Sequence, residues 1–416
     1  MERYSEYKDS GVQWIGMVPD HWEIKQLRSF LALFSEKGHG DAQLLSVTRE
    51  QGVIERDKES KEENHNFVPE DLSGYKYIQK GDFAINKMKA WQGSYAVSDF
   101  DGIVSPAYFT CKLRGVNKQF FSRAIRSSSY VPFFTQYSKG IRVGQWDLNP
   151  NALKTIPFFL PPLTEQERIV DFLNNKTLQI DRYVAEREQE VQLLNELKES
   201  EIAKAVTQGL NPNVKMKDSG VPWIGMIPEH WEVSKINSLF KERREKVSDK
   251  VFSPLSVSKQ GITPQLETAV KTDNGDNRKK VCKGDFVVNS RSDRKGSCGI
   301  SPYTGSVSLI NIVLQPRADI EGQYFHYLFR SSNYIEEFYR IGRGIVADLW
   351  TTRYSEMRNI LVPLPPLDEQ RAIVAYIDDK CAKVNSLIAD IQAEISYLKE
   401  YKQRLIADCV TGQIKV

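Results

Sequence analysis

Cysteine is scarce in this chain and badly spaced for covalent or metal chemistry. Only five occur in 416 residues, Cys111, Cys282, Cys298, Cys381 and Cys409, an odd number with no Cys-x-x-Cys pair. That argues against a disulfide framework or a zinc site. The five histidines form no His-x-x-x-His pattern. Long apolar runs are also missing: none reaches the eighteen or so residues that a membrane helix needs. The opening "MERYSEYKDSG" lacks the apolar centre of a signal peptide. The expectation is a cytoplasmic protein with reduced thiols and no membrane partner. Charge of one sign is not in excess either. The net charge is +3, so any nucleic-acid surface must be a local patch.

Catalytic signatures are absent as well. There is no Gly-x-x-x-x-Gly-Lys-Ser/Thr, no Gly-x-Gly-x-x-Gly and no Gly-x-Ser-x-Gly. "NPNA" at Asn149 lacks the aromatic residue of an adenine-methylating Asn-Pro-Pro-Tyr/Phe motif. Two stretches lack glycine and proline altogether, Thr164 to Gln208 and Asp368 to Thr411. Each follows a Leu-Pro-Pro-Leu that cannot continue backward as helix. Each ends near a glycine, Gly209 or Gly412, where a helix can stop. These stretches predict two helices of forty-odd residues, each roughly 60 Å long. Thr164 with Glu167 has capping-box spacing, and Asp368 is placed to cap the second helix.

What is present in quantity is repetition. "KDSGVQWIGMVPDHWEI" (Lys8 to Ile24) returns as "KDSGVPWIGMIPEHWEV" (Lys217 to Val233), identical at 13 of 17 positions. The correspondence continues through "LSV" at Leu45 and Leu255, "KGDF" at Lys80 and Lys283, "RSSSY" at Arg126 against "RSSNY" at Arg330, and "LPPLTEQ" at Leu160 against "LPPLDEQ" at Leu364. The chain is two copies of one unit of about 205 residues. Each copy reads as a Trp-rich arm, a middle of strand-like runs ("GDFAIN", "GDFVVN", "SVSLINIVL") with short helical candidates, and a long helix: an α+β class.

The second long stretch carries a heptad seam through Ile377, Val384, Ile388, Ile391, Ile395, Leu398 and Leu405. The same phase in the first gives Leu173, Ile180, Val184, Val191 and Leu194, interrupted by Arg187, Lys198 and Glu201. Joined through a whole globular domain, the two helices can pair antiparallel. The arm tryptophans, Trp14, Trp22, Trp223 and Trp231, then read as anchors where a helix end meets a domain, with "VTGQIKV" returning beside Met1.

The middles hold a fixed frame with changed residues inside it. Asn86, Gly93 and Ser94 answer Asn289, Gly296 and Ser297, whereas Lys87, Lys89, Trp91 and Gln92 face Ser290, Arg291, Arg294 and Lys295. Seven basic and two acidic residues fall between Arg278 and Gly296. Lys and Arg neutralise phosphates, and Arg, Lys, Gln and Asn also pair with base edges. The candidate DNA-binding set is Asn86, Lys87, Lys89, Trp91, Gln92, Ser94, Tyr108 and Arg142 in the first copy. In the second it is Lys283, Asn289, Arg291, Ser292, Arg294, Lys295 and Ser297. No catalytic or metal-binding residue is expected. A duplicated coiled-coil scaffold that binds only protein is the alternative.

These motifs resemble the specificity (S) subunit of type I restriction–modification enzymes: "WIGMVPDHWE" and "WIGMIPEHWE", "MKAWQGS" with "GIVSPAYF", "NSRSDRKGSCGIS" with "GSVSLIN", and two "LPPLxEQ" segments opening long helices. The resemblance runs over essentially the whole chain. It implies two mixed α/β target-recognition domains, 1–160 and 211–363, separated by two long antiparallel coiled-coil helices, 161–210 and 364–416, with a pseudo-twofold internal repeat. It implies that each domain reads one half of a split, asymmetric site in double-stranded DNA and that the helices set the spacer. It further implies that two methylation (M) subunits dock and use S-adenosylmethionine to methylate adenine. Restriction (R) subunits would add ATP- and Mg-dependent translocation and cleavage. The chain itself would be non-catalytic and hold no cofactor.

Overall fold

The structure is a computed structural model and describes residues 2–57, 68–140, 146–265, 275–317, 319–344 and 350–416. The chain divides into two compact units. One joins Met1–Arg187 to Ala393–Val416, and the other is Glu188–Gln392.

In the first unit the arm folds into a small hairpin, Tyr7–Asp9 against Met17–Pro19. Gly11 and Gly16 sit in the left-handed region its turns need (φ 71° each). The next strand, Glu23–Gln26, pairs with Pro157–Leu160 immediately before the long helix, which closes the module on itself. Between them lies a four-stranded antiparallel sheet in the order Leu31–Phe34, Tyr108–Leu113, Phe83–Asn86, Tyr95–Val97. Helices Lys118–Ile125 and Val131–Tyr137 cover it. Trp22, Phe83, Phe120, Phe121, Phe134 and Phe158 form the core together with Leu173, Leu405 and Val410 from the long helices. A hairpin, Leu45–Thr48 with Gly52–Glu55, packs on the other side through Leu45, Val47, Val53, Ile78 and Ala84.

The second unit repeats the plan. Its arm hairpin is Met216–Asp218 with Met226–Pro228, and Glu232–Lys235 pairs with Leu361–Leu364. Its sheet runs Phe240–Glu242, Asn311–Pro316, Phe286–Asn289, Cys298–Ile300 under helices Gly322–Arg330 and Ser332–Arg340. "SVSLINIVL", a single strand-like run in sequence, is two strands, Gly305–Val307 and Asn311–Pro316, because a turn closes between Ser308 and Asn311.

The long helices are Leu163–Gln208 and Leu367–Val410. Gly209 and Gly412 follow them with φ of 75° and 74°. The capping residues differ from those the spacing suggests. Each helix begins one residue early, so the carbonyls of Pro162 and Pro366 accept from Glu165, Gln166 and Gln370, and Thr164 and Asp368 stand inside the first turn.

Within the first unit Asp181 meets Lys402, and Tyr183 and Arg187 meet Glu394. Within the second, Lys198 meets Asn385 and Glu201 meets Tyr376. One number rises as its partner falls, so the segments in each unit run antiparallel. The polar seam positions Arg187, Lys198 and Glu201 thus find partners across the pair. Leu173, Val184, Ile395 and Leu405 are buried in the first unit, with Ile180 and Leu398 half-buried. Ile377, Ile388 and Ile391 are buried in the second, with Val191, Leu194 and Val384 half-buried. Among the described residues, no helix is long and apolar enough to cross a membrane.

Candidate nucleic-acid interface

The loops that follow the two "GDF" strands share one construction. In the first unit the strand ends at Asn86, whose N–H donates to the Ser94 carbonyl, while Ser94 N–H returns to Lys89. A 3-10 turn, Ala90–Gln92, fills the loop, and Gly93 takes the left-handed conformation (φ 94°). In the second unit Asn289 N–H donates to Ser297, Ser297 N–H to Arg294, and Gly296 is left-handed (φ 74°). Asn86, Ser94 and Ser297 are buried and Asn289 is half-buried. They hold the loop, and the residues between them carry the exposed charge.

In the first loop Lys89 and Gln92 are exposed, and among the described residues Lys89 has no ionic partner. Lys87 is half-buried and donates to Asp147 at 2.8 Å. Trp91 leans on Trp146 at 5.2 Å between ring centroids. Its indole N–H is buried without an acceptor among the described residues. Tyr108 faces Asn86 across the sheet, where its hydroxyl accepts from the Asn86 amide, so it belongs to the frame. Burial raises the Tyr108 pKa. Arg142 lies outside the described residues.

In the second loop Asp293 sits between Arg291 at 3.1 Å and Arg294 at 3.8 Å. Lys295 pairs with Glu336 at 3.2 Å and lies over the ring of Tyr339. Tyr339 in turn donates to the carbonyls of Asn289 and Arg294, fastening the loop from above. These ion pairs are largely exposed, and such pairs are worth at most about 1 kcal/mol. A phosphate can exchange for the carboxylate at little cost. The side chain of Ser292 lies outside the described residues. Lys283 is exposed but sits at the other end of the strand Phe286–Asn289. The strand between it and the cluster is itself about 13 Å long.

Three features of this region escaped the sequence. Lys76 and Lys279 reach inward to the carbonyls of Tyr108 and Asn311, tying two sheets together behind each loop. Arg126 donates to the carbonyls of Arg49 and Glu50, and Arg330 to those of Cys298 and Lys259, so the repeated Arg-Ser-Ser-x-Tyr pins the neighbouring hairpin turn. The third is the "EQ" of the two "LPPLxEQ" motifs. Glu165 is buried and accepts from Tyr4, His21 and Trp22. Burial works against its charge, but the three donors outweigh it and hold the carboxyl below its ordinary pKa. Glu369 accepts from His230 and Trp231. Gln166 and Gln370 each bridge a backbone N–H, of Asn117 or Glu321, to a proline carbonyl.

Trp22 and Trp231, both fully buried, are therefore the anchors on the long helices. Trp14 and Trp223 anchor elsewhere, against Phe133 and Tyr334. The signal for the glutamates lay in the sequence as a repeated pair. Its meaning required a partner 143 residues away.

One loop frame thus recurs in both units with different charged residues inside it, and among the described residues no His, Cys, Asp and Glu cluster could hold a metal. Residues 228–397 match the family described as type I restriction modification DNA specificity domain. A putative type I restriction enzyme MjaX specificity subunit from Methanocaldococcus jannaschii is 23% identical over 97% of this chain and 96% of its own. The type I restriction enzyme EcoBI specificity subunit of Escherichia coli is 24% identical over 72% of this chain and 66% of its own.

The fold agrees with two solved chains, each 17% identical. A chain from work on complex assembly and conformational transition of the type I R-M system has a TM-score of 0.67, covering 95% of this chain and 99% of that one. The HsdS subunit from Thermoanaerobacter tengcongensis has a TM-score of 0.50, covering 95% and 98%. The second copy thus carries that family's domain, and over nearly its whole length the chain is similar to type I restriction enzyme specificity subunits.

Proposed function

We propose that this chain is the DNA-recognition subunit of a type I restriction–modification complex, choosing the sequence and leaving the chemistry to its partners. Each unit reads one half of a bipartite, asymmetric site in double-stranded DNA through the loop after its "GDF" strand. The paired helices set the spacer, and the chain docks methylation and restriction subunits. S-adenosylmethionine is then used by the M subunits, ATP and Mg by the R subunits, and this chain needs no cofactor. The observation that carries the reading is the pair of loops on one frame. Asn, Gly and Ser are held in both copies while Trp91 and Gln92 are exchanged for Arg294 and Lys295, and Lys87 and Lys89 for Ser290 and Ser292.

The test maps methylated adenines in a host carrying this chain and its modification partner. Arg291→Ala with Arg294→Ala is expected to relax one half-site and spare the other. Each side chain that pairs with a base edge should be worth about 1–3 kcal/mol of discrimination. A map and an affinity that do not change would place the reading surface elsewhere. Methyl transfer by the isolated chain would contradict the division of labour.

A further inference from the structure

Beside the first loop lies a concavity whose cations are partly replaced in the second unit. A cleft of about 980 Å³ opens next to Gln92, lined by five basic side chains against Glu50 and Asp99. Two of the five are committed. Arg49 pairs with Glu50, and Arg126 is held by the hairpin carbonyls. Lys118 is exposed and has no ionic partner among the described residues. Its ammonium lies in the space that a β-carbon on Gly81 would fill. Arg123 donates to the side chain of Asn174 at 2.6 Å, which aims the guanidinium and leaves further N–H groups free to donate.

The shared Arg-Ser-Ser-x-Tyr motif fixes the counterparts in the second unit. Gly322 stands for Lys118, Tyr327 for Arg123 and Asp378 for Asn174. There the Tyr327 hydroxyl donates to Asp378. At these three positions the second unit has two cations fewer and one acid more, while the counterparts of Glu50 and Asp99 are the neutral Gln260 and Pro302. A frame-holding role would not require that exchange.

We infer that the first-unit cleft is a binding groove for the phosphate backbone of duplex DNA, with Lys118 and Arg123 as its phosphate ligands. It rests on the DNA-recognition reading above and adds a sequence-independent grip on one side only. The two half-sites are then unequal in how they are held: one by bases and a backbone clamp, the other without that clamp.

The test uses the full chain and a random-sequence duplex of about 30 base pairs, with affinity followed by fluorescence anisotropy between about 50 and 200 mM salt. Each phosphate contact contributes about 0.9 to the slope of log affinity on log salt. Lys118→Gly with Arg123→Tyr installs the second unit's residues. It is expected to flatten the slope by about 1–2 and to weaken binding at low salt roughly tenfold, with both methylated half-site sequences unchanged. Gly322→Lys with Tyr327→Arg should steepen the slope by a similar amount. A β-carbon at 322 meets only Ile300, at 3.4 Å. Lys118→Glu, at an exposed position, gives the same direction of change as the double variant without touching the Arg123–Asn174 contact.

Normal binding with an unchanged slope in both Lys118 variants overturns the cleft and leaves the recognition reading standing; an acidic protein partner would then be what it fits. A wild-type chain that binds no duplex at about 50 mM salt overturns both.

Discussion

Glu165 in the first unit is surrounded by three donors and its side chain is 5% exposed; Glu369 in the second has two donors and is 42% exposed. The missing donor has a plain cause. Tyr4 belongs to the N-terminal segment, which lies against the returning tail: Lys415 N–H donates to Glu2, and Tyr7 to the Gly412 carbonyl. In the second unit the chain runs on from Gly209, and Asn213 stands where Tyr4 would be. The tryptophan–glutamate lock is therefore kept in both units but sealed more tightly in the first. The loops and the cleft differ in the opposite sense: their scaffolding is equal and their charges are not. Packing of the arm tolerates a change in how deeply a carboxylate is covered, whereas the exposed loop residues are free to diverge outright.

The largest effect should come from the part the two units share. Trp22 and Trp231 are both fully buried. Trp→Ala at such a site costs about 3–5 kcal/mol and also takes one donor from a glutamate. Each variant should lose hydrogen-exchange protection in its own unit and keep it in the other. Unequal losses would show that the two locks are not equivalent.

The carboxylates should separate the units. Glu165→Gln removes a buried charge that three donors hold, and should cost about 1.5–3 kcal/mol. Glu369→Gln, half-exposed, should cost at most about 1 kcal/mol. The pH dependence supplies a second readout. The folded pKa of Glu165 lies below the reference value of 4.5. Its contribution is therefore complete above about pH 4.5 and is lost as pH falls through the folded value. Melting temperature followed from pH 6 to 3 should fall more steeply for the wild type than for Glu165→Gln. Parallel curves would mean that the lock does not depend on charge.

Much of this was legible in the sequence, and for identifiable reasons. The repeat, the uninterrupted helices, the glycines that end them and the Asn–Gly–Ser frame are local patterns or comparisons of the chain with itself. The seam followed from heptad spacing, and so did its polar interruptions, though not their partners. What stayed hidden depends on tertiary neighbours. Thr164 and Glu167 have capping spacing, but Pro162 already starts the helix, and the neighbouring Glu165 turns to Trp22. Asp147, Asp293 and Glu336 temper the loop cations, and only the fold brings Asp147 and Glu336 near. Lys283 looked like part of the patch because it is near in sequence, yet a strand separates it from Arg291.

The smallest effect lies between the paired helices and contrasts two kinds of cross-contact. In the first unit Lys402 meets Asp181 at 2.6 Å, a full ion pair whose side chains are 29% and 57% exposed. In the second, Lys198 meets Asn385 at 3.0 Å, a cation on a neutral amide. Partial exposure limits the ion pair to about 0.5 kcal/mol, and the neutral partner should give a similar figure at low salt. Their response to salt should differ. At about 1 M the screening length falls to about 3 Å, so the Lys402–Asp181 coupling should drop to roughly half or less. The Lys198–Asn385 hydrogen bond carries less long-range attraction to screen and should keep most of its coupling. Double-mutant cycles to Ala at low and high salt measure both. If the two couplings fall together, the seam in the second unit is as electrostatic as in the first, and the contrast between the pairs is one of geometry alone.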